Sequence, residues 1–475
     1  MFAFSRVSRA SRLGYRFRQH AHLESFRMVS TSEAPGADDS FPRFPGAVDS
    51  PFSSKMEWLV PTDTPRIPTY RILNSENRVG DPVQITSEIP KDEILQWYMN
   101  MVTIQKLIEP LLIVNIMDGI MFDAQRHGRR CVRDCRGGAE RANHCFQVSH
   151  GEEALMIGSA AALGPRDVIT CQYREHGVFL QRGFELKDFM SQLAANHNDP
   201  GKGRNMPNHY TGRDKVGAHS VASTLGTQIP HAAGAAYALK MQDREDPSKP
   251  PRVAAAYFGE GAASEGDFHG ALNMAAMTKS PVIFICRNNG YAISTPAAEQ
   301  YRGDGIASRG AGYGIETLRV DGTDIFAVYE ATKAARRKAL EDGGRPILLE
   351  FMSYRVSHHS TSDDSSQYRS QDEIILWKDS PQRNPVLRLR QWLEHENLWD
   401  ADRDKEFRTK IRKDIVRELS RAEKEKKPAL ESIFTDVYAE MTEEAEAQRE
   451  ELRKLMVKYP EEYDIDEHVD GIKGL

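Results

Sequence analysis

Apolar positions along the chain fall into two kinds of pattern, short continuous runs closed by polar or glycine-rich turns and longer stretches with helical spacing. Lys91 to Gln125 repeats apolar residues at Ile94, Leu95, Tyr98, Met101, Val102, Leu107 and Ile108, the spacing of a helix with one buried face, and Pro110 breaks it or starts a second helix. Gly151 to Leu163 (GEEALMIGSAAAL) also has helical spacing, with small residues that favour close packing. Asp167 to Cys171 reads as a short strand, Lys187 to Asn196 as a helix, and AAGAAYALKM as a helix whose small residues suit close backbone contact, as at a subunit interface.

Val253 to Phe258 (VAAAYF) is a buried-strand run, followed by a small-residue helical stretch and a second apolar run, Pro281 to Cys286. Asp324 to Asp342 is amphipathic, and Pro346 to Met352 (PILLEFM) is another buried strand. Continuous apolar strands alternating with helices predict an α/β fold, a mostly parallel sheet flanked by helices. Residues 56–90 read as an N-terminal extended arm in which TYRILNSENRV suggests a hairpin, and 91–385 as the α/β domain. The segment 386–475 is charged and helix-rich, closing on EEAEAQREELRKLMVKYPEEY, whose interleaved acids and bases predict a solvated helix.

Composition narrows the class. The chain has 475 residues, 40% hydrophobic and 28% charged, as in soluble globular proteins. No run approaches the length of a membrane span. With 63 basic against 69 acidic residues, net charge −6, it has no overall basic bias for nucleic acid. Five cysteines in so long a chain do not build a disulfide scaffold. The first residues carry Arg6, Arg9, Arg12, Arg16 and Arg18 with no acid before Glu24, the pattern of a mitochondrial transit peptide over 1–30, and 31–55 is a Ser-, Pro- and Gly-rich linker.

Candidate chemistry concentrates where the central strands end. Gly259-Glu260-Gly261 closes one apolar run and Asn288-Asn289 the next. In a parallel sheet both ends open on the same edge, where ligands collect, so Glu260 and Asn289 can meet. Hard oxygens beside glycines suit Mg²⁺ bound together with a diphosphate, which Gly259 and Gly261 let approach the backbone and Arg287 could neutralise. The glycines read G-x-G-x-x-x-x-G, the wrong spacing for a dinucleotide fingerprint, and no Lys-Ser/Thr follows for a Walker loop. A plain strand-helix-strand unit with a glycine turn and a chance Asn-Asn is the competing reading for these residues alone.

The Gly-acid-Gly opening and Asn-Asn close resemble the thiamine diphosphate motif. Together with QYREHG, GKGR-x-MP-x-HY, TLGTQIPHAAGAAYA, RNNGYAISTP, EQYRGDGIA, RVDG and HHSTSDDSS, they make the chain similar to the alpha subunits of the branched-chain 2-oxoacid dehydrogenases over roughly residues 70 to 440. The resemblance implies the thiamine-diphosphate-binding fold, mitochondrial matrix localisation, and oxidative decarboxylation of branched-chain 2-oxoacids with acyl transfer to a lipoyl-bearing transacylase core. It also implies an obligate heterotetramer with a beta subunit that supplies the carboxylate activating the cofactor, and regulation by a kinase and a phosphatase.

Residue by residue, the resemblance assigns Glu260, Asn289 and the Tyr291 carbonyl to Mg²⁺. Arg174 and Arg287 would hold the diphosphate, with Gln172, Tyr173, Gly259, Gly261 and Ala262 lining the cofactor. Ser223 and Leu225 would contact the thiamine, Ser223 and Arg355 also serving catalysis, and His359 would be an acid/base group in acyl transfer. Thr227 and Gln228 would help hold K⁺, although Ala222 and Thr224 depart from the family's Ser and Pro. Ser360 and Ser370 correspond to phosphorylation positions. About a dozen extra residues follow the Gln125-to-Arg129 turn; their Cys131, Cys135, His144 and Cys145 lack the Cys-x₂-Cys knuckle of a zinc site. Alternatives within reach of the sequence are a pyruvate dehydrogenase alpha subunit and a non-catalytic assembly or regulatory subunit.

Overall fold

The computed structural model describes residues 54–56, 58–60, 63–80, 88–107, 149–360 and 363–475. The transit segment, nearly all of the linker, and the insertion with its cysteines and His144 lie outside the described residues. The chain divides into two units, 1–63 and 64–475. The few described residues of the first form no helix or strand.

In the second unit the strands are β1 (Thr69–Tyr70), β2 (Val168–Thr170), β3 (Ala254–Gly259), β4 (Val282–Asn288), the short β5 (Tyr291–Ala292) and β6 (Thr295–Pro296), β7 (Glu316–Asp321) and β8 (Ile347–Met352). Six of them form one sheet in the order β1-β7-β8-β4-β3-β2, every neighbouring pair parallel. Strands β5 and β6 pair antiparallel as a separate hairpin. This is the parallel, helix-flanked sheet that the sequence predicts.

The alternating side chains of the central strands explain why both faces need cover. Ala255, Tyr257, Ile283, Ile285, Ile347, Leu349 and Phe351 enter one hydrophobic core, and Ala254, Ala256, Phe258, Val282, Phe284, Cys286 and Leu348 the other. Helix α1 covers 91–107 of the expected Lys91-to-Gln125 stretch, whose remainder with Pro110 lies outside the described residues, and buries Ile94, Trp97, Tyr98, Met101 and Val102 in the first core. Helices α2 (Glu153–Ala162) and α3 (Ile325–Leu340) join it there. The second core is closed by the helix Gln228–Glu245, through Ile229, Ala232, Ala233 and Ala236, and by Gly266–Thr278, through Phe268, Ala271, Leu272 and Ala275. The small-residue helix thus spends its alanines on the sheet, while Tyr237 stays 45% exposed.

Two buried charges tie the arm and the C-terminal helices to the sheet. Asp324 caps α3 by accepting from the backbone N–H groups of Phe326 and Ala327, and its other oxygen accepts from those of Ile72 and Leu73. Those arm amides are therefore not available for a ladder, and the expected hairpin reduces to one antiparallel bridge, Leu73 with Val79. Arg388, on the helix Pro385–His395, donates to Asp321 Oδ2 at 2.8 Å, Thr323 Oγ1 at 2.7 Å, Asn77 Oδ1 at 3.2 Å and the Leu73 carbonyl at 3.3 Å. That helix buries Val386, Leu389 and Leu393 in the first core, with Trp392 against Phe326 at 4.9 Å between ring centroids. A smaller cluster of Leu430, Phe434, Met456 and Leu475 packs the end of the chain.

Replacing Arg388 by Met removes the buried partner of Asp321 and leaves it only the largely exposed Arg71, whose Nε donates to Asp321 Oδ2 at 2.7 Å. The expected loss is about 3–5 kcal/mol of folding stability, read as a lowered unfolding midpoint in denaturant with unchanged far-ultraviolet circular dichroism.

Candidate active site

The carboxyl ends of β2, β3, β4 and β8 deliver nearly all the candidate residues to one edge of the sheet. Residues 172–175 follow β2, Glu260 follows β3, Asn289 follows β4, and Arg355 to His359 follow β8. Parallel pairing opens these ends together, so residues far apart in sequence become neighbours.

Arg287 is the hub. It is 2% exposed and donates from Nε to Glu175 Oε1 at 2.6 Å, from Nη1 to Glu152 Oε1 at 3.1 Å and from Nη2 to Gln172 Oε1 at 3.1 Å. Burial opposes its charge, but the carboxylates of Glu175 and Glu152 outweigh that cost and raise its pKa further above the ordinary value. Gln172 Oε1 also accepts from the Gly259 amide at 3.0 Å, locking the end of β3 to the turn after β2. Gly261 is needed for closeness: a Cβ there would stand 2.7 Å from that of Ala292.

Glu260 and Asn289 meet as the spacing predicts. The Asn289 backbone N–H approaches Glu260 Oε2 at 3.4 Å. The Asn289 side chain donates from Nδ2 to Glu152 Oε1 at 3.1 Å and accepts at Oδ1 from the Tyr291 backbone N–H at 3.1 Å. Glu260 Oε1, Glu152 Oε2 and Glu175 Oε2 are buried without a hydrogen-bond partner. Burial, with Glu152 adding to it, pushes the Glu260 carboxyl up to about 7. Among the described residues no three His, Cys, Asp or Glu side chains are grouped as a metal site, so a cation here draws on amide, carbonyl and ligand oxygens as well. That donor set, together with unpartnered buried carboxylate oxygens, fits Mg²⁺ shared with a diphosphate.

Above the hub stands the loop after β8. His359 Nε2 lies 3.2 Å from the Tyr173 hydroxyl, and the His359 carbonyl accepts from Arg174 Nη2 at 3.1 Å. Burial, then the charges of Arg174 and Arg355, pull the imidazole pKa down to about 3, so His359 is neutral near pH 7. Asp363 Oδ2 accepts from the His359 amide at 2.7 Å and from the Tyr368 hydroxyl at 2.6 Å. Arg355 donates to the Ile293 carbonyl at 2.6 Å, the Tyr368 hydroxyl at 2.9 Å and the Tyr291 carbonyl at 3.4 Å. Ser360 is buried, whereas Ser370 is exposed and caps the helix Gln371–Lys378 by accepting from Glu373 N–H.

Gln172, Tyr173, Arg174, Glu260, Arg287, Asn289, Tyr291, Arg355 and His359 therefore form one neighbourhood, with Gly259 bonded to Gln172, while Ala262 is buried in the second core. Ser223 and Leu225 stand on an exposed turn, the Ser223 hydroxyl 3.7 Å from the Met206 sulfur and Leu225 39% exposed. Thr227 donates to the Thr224 carbonyl at 3.0 Å, and the buried Gln228 amide donates to the Tyr257 carbonyl at 3.1 Å. Glu152 and Glu175 were absent from the sequence-derived site. Adjacent acids at the start of a small-residue helix, Glu152-Glu153, were the available signal, because an acid pair there has no sequence neighbour to neutralise it.

A parallel α/β sheet with a Gly-acid-Gly and Asn-Asn pair converging on its carboxyl edge defines the class, and the sequence comparisons agree. The Dehydrogenase E1 component family matches residues 111–431, and the chain belongs to that family. Within it the chain belongs with the 2-oxoisovalerate dehydrogenase alpha subunits. It is 44% identical over 432 residues to the mitochondrial 2-oxoisovalerate dehydrogenase subunit alpha of Mus musculus, covering 91% of this chain and 90% of that one. The Caenorhabditis elegans subunit alpha is 41% identical over 446 residues, covering 94% and 96%. The Arabidopsis thaliana subunit alpha 2 is 42% identical over 423 residues, covering 89% and 82%. The chain is, like its relatives, a mitochondrial thiamine-dependent oxidoreductase subunit.

Glu153, next to Glu152, gives the site a pH signature. Burial pushes its carboxyl from 4.5 up to about 7, despite hydrogen bonds from Gln105 and the Gly151 amide. The unfolded chain ionises this group first, so its contribution is fully present below pH 4.5 and is lost as pH rises through about 7. Glu153→Gln should therefore gain stability relative to the unsubstituted chain between pH 5 and pH 8, by up to about 3 kcal/mol. Paired thermal melts at the two pH values check the sign; a difference independent of pH contradicts it.

Proposed function

We propose that this chain is the alpha subunit of a branched-chain 2-oxoacid dehydrogenase, oxidatively decarboxylating branched 2-oxoacids such as 2-oxoisovalerate and passing the acyl group to a lipoyl group of a transacylase. The observation that carries this reading is the convergence of Gln172, Glu260, Arg287 and Asn289 on one sheet edge beneath the His359 loop, in a chain whose relatives are 2-oxoisovalerate dehydrogenase alpha subunits. Thiamine diphosphate bound there would supply the carbon nucleophile and the electron sink for loss of CO₂.

The chain's own groups would bind, orient and exclude water. Glu260, Asn289 and the Tyr291 carbonyl would hold Mg²⁺, and Arg174 and Arg287 would face the diphosphate. Gln172, Tyr173, Gly259, Gly261 and Ala262 would wall the cofactor, while Ser223 and Leu225 would reach its thiamine end, Ser223 and Arg355 also acting on the substrate side. A neutral His359 can take and return a proton at Nε2 during acyl transfer, steadied by Tyr173 and by Asp363 at its backbone. Thr227 and Gln228 would contribute oxygens to a K⁺ ion beside the turn that carries Leu225.

Partners follow from what this chain lacks and exposes. No carboxylate of the described site is assigned to cofactor activation, a role the reading gives to a beta subunit in an α₂β₂ heterotetramer. The exposed Tyr237, Met274 and Met277, at 45%, 50% and 78%, lie on the two helices that cover the second core and offer apolar surface to such a partner. Regulation by a kinase and a phosphatase at Ser360 and Ser370 has a direct physical sense. A phosphate on Ser360 would place about −1.5 to −2 charge beside His359 and compete for Arg174 and Arg355.

The test is turnover by this chain co-expressed with its cognate beta subunit, with thiamine diphosphate, Mg²⁺ and an artificial electron acceptor. Turnover of 2-oxoisovalerate above that of pyruvate is expected, falling by at least about a hundredfold in Glu260→Ala. Preference for pyruvate would overturn the substrate assignment, and absence of turnover in a cofactor-bound tetramer would overturn the catalytic one. In the assembled complex, Ser360→Glu should cut lipoyl-dependent activity at least about tenfold; full activity would refute the loop's regulatory role.

A further inference from the structure

We infer that Glu152 is a positioning residue for the metal: it fixes the Asn289 amide so that its oxygen faces the cation, and no sequence motif or relative's name assigns it this task. The inference rests on the Mg²⁺ reading of the same site. Glu152 is fully buried, immediately before α2, on an element that contributes none of the proposed ligands. A single oxygen, Oε1, accepts from both Asn289 Nδ2 and Arg287 Nη1, each at 3.1 Å.

Chemistry fixes the direction of this contact. An ionised carboxylate can only accept, so the face of the Asn289 amide turned toward Glu152 must be its NH₂. The Tyr291 backbone N–H can only donate, and it meets Oδ1 at the opposite end of the same amide. Both neighbours therefore demand one orientation, and the flipped amide would set oxygen against carboxylate and NH₂ against N–H. Amide oxygens have two acceptor sites, and Tyr291 uses one, which leaves the other for a hard cation. Asparagine alone would be a weakly specified ligand; with Glu152 behind it the oxygen is pre-aimed.

Glu152 also sets the charge of the site. Its Oε2 and Glu260 Oε1 are both buried and unpartnered. Its two donors come from the end of β4 and the residue just past it, so it couples the aim of Asn289 to the placement of Arg287. Glu153, its neighbour, serves as an internal comparison. It is equally buried but its carboxylate accepts from Gln105 and the Gly151 amide instead of from Arg287 and Asn289.

The experiment uses the assembled α₂β₂ enzyme at saturating thiamine diphosphate, with Mg²⁺ titrated and the thermal midpoint recorded alongside turnover. Glu152→Gln, which replaces the charged acceptor of Asn289 and Arg287 by a weaker neutral one, should raise half-saturating Mg²⁺ about tenfold or more, with a much smaller change in turnover at saturating Mg²⁺. Glu152→Asp, which keeps the charge, should recover part of the loss. Glu153→Gln should alter the metal-free thermal midpoint while leaving half-saturating Mg²⁺ within about twofold, since no ligand-orienting contact is touched. An unchanged Mg²⁺ midpoint in Glu152→Gln, or equal shifts in the Glu152 and Glu153 variants, overturns the assignment. So does failure of both Glu152 variants to assemble, which would make the residue a core support. If the unsubstituted enzyme shows no Mg²⁺-dependent midpoint at all, the metal reading itself fails, and that outcome is distinguishable from the others.

Discussion

A guanidinium buried between two carboxylates holds this site together. Arg287 lies at the end of the central strand, with Glu175 on one side and Glu152 on the other, all three out of water. In such surroundings each charge is tolerable only while its partners stay in place, and removing one would leave an uncompensated ion. The turn after β2, the start of α2 and the end of β4 are consequently held in fixed relation. Gln172 extends the same constraint to β3 through the Gly259 amide. Three strands and a helix are thus referenced to a single planar group.

The arrangement leaves the site with more buried acid than buried base at its centre, three carboxylates around one guanidinium. A purely structural network would be expected to use every oxygen, whereas here Glu152, Glu175 and Glu260 each keep one without a partner. In the proposed function the surplus is offset by a divalent cation among Glu260, Asn289 and Tyr291. Arg174 and Arg355 complete the balance from the loop side, where they hold the His359 imidazole uncharged, Arg174 donating to the His359 carbonyl and Arg355 to the Ile293 carbonyl between β5 and β6. The loop after β8 is in this way ordered by the groups that would meet substrate, which is why a charge added at Ser360 has leverage.

Much of the fold was legible because the central strands are apolar on both faces and their helices are small-residue or amphipathic. VAAAYF and PILLEFM announce strands covered on both sides, and those strands are β3 and β8. The convergence of Glu260 with Asn289 followed from parallel topology alone. What stayed hidden was set by long-range contacts that no local pattern encodes. The expected hairpin in the arm shrank to one bridge because Asp324, some 250 residues away, takes the amides of Ile72 and Leu73. Glu152 looked like the opening of a helix, and its meaning lies in Arg287, 135 residues on. The roles of Ser223, Leu225, Thr227 and Gln228 rest on resemblance, since the side-chain hydrogen bonds of that turn go to Met206, Thr224 and Tyr257.

The central claim is that the sheet edge organised by Arg287 binds a divalent cation together with a diphosphate. Its most direct measurement is a crystal structure of the assembled alpha and beta chains grown with thiamine diphosphate and Mn²⁺ in place of Mg²⁺, with the ion located by its anomalous signal. One peak is expected at oxygen-ligand distance, about 2.0–2.2 Å, from the carboxylate of Glu260, the amide oxygen of Asn289 and the carbonyl of Tyr291, with Arg287 still between Glu152 and Glu175. An ion elsewhere, or a diphosphate bound away from Arg287 and Arg174, would contradict it.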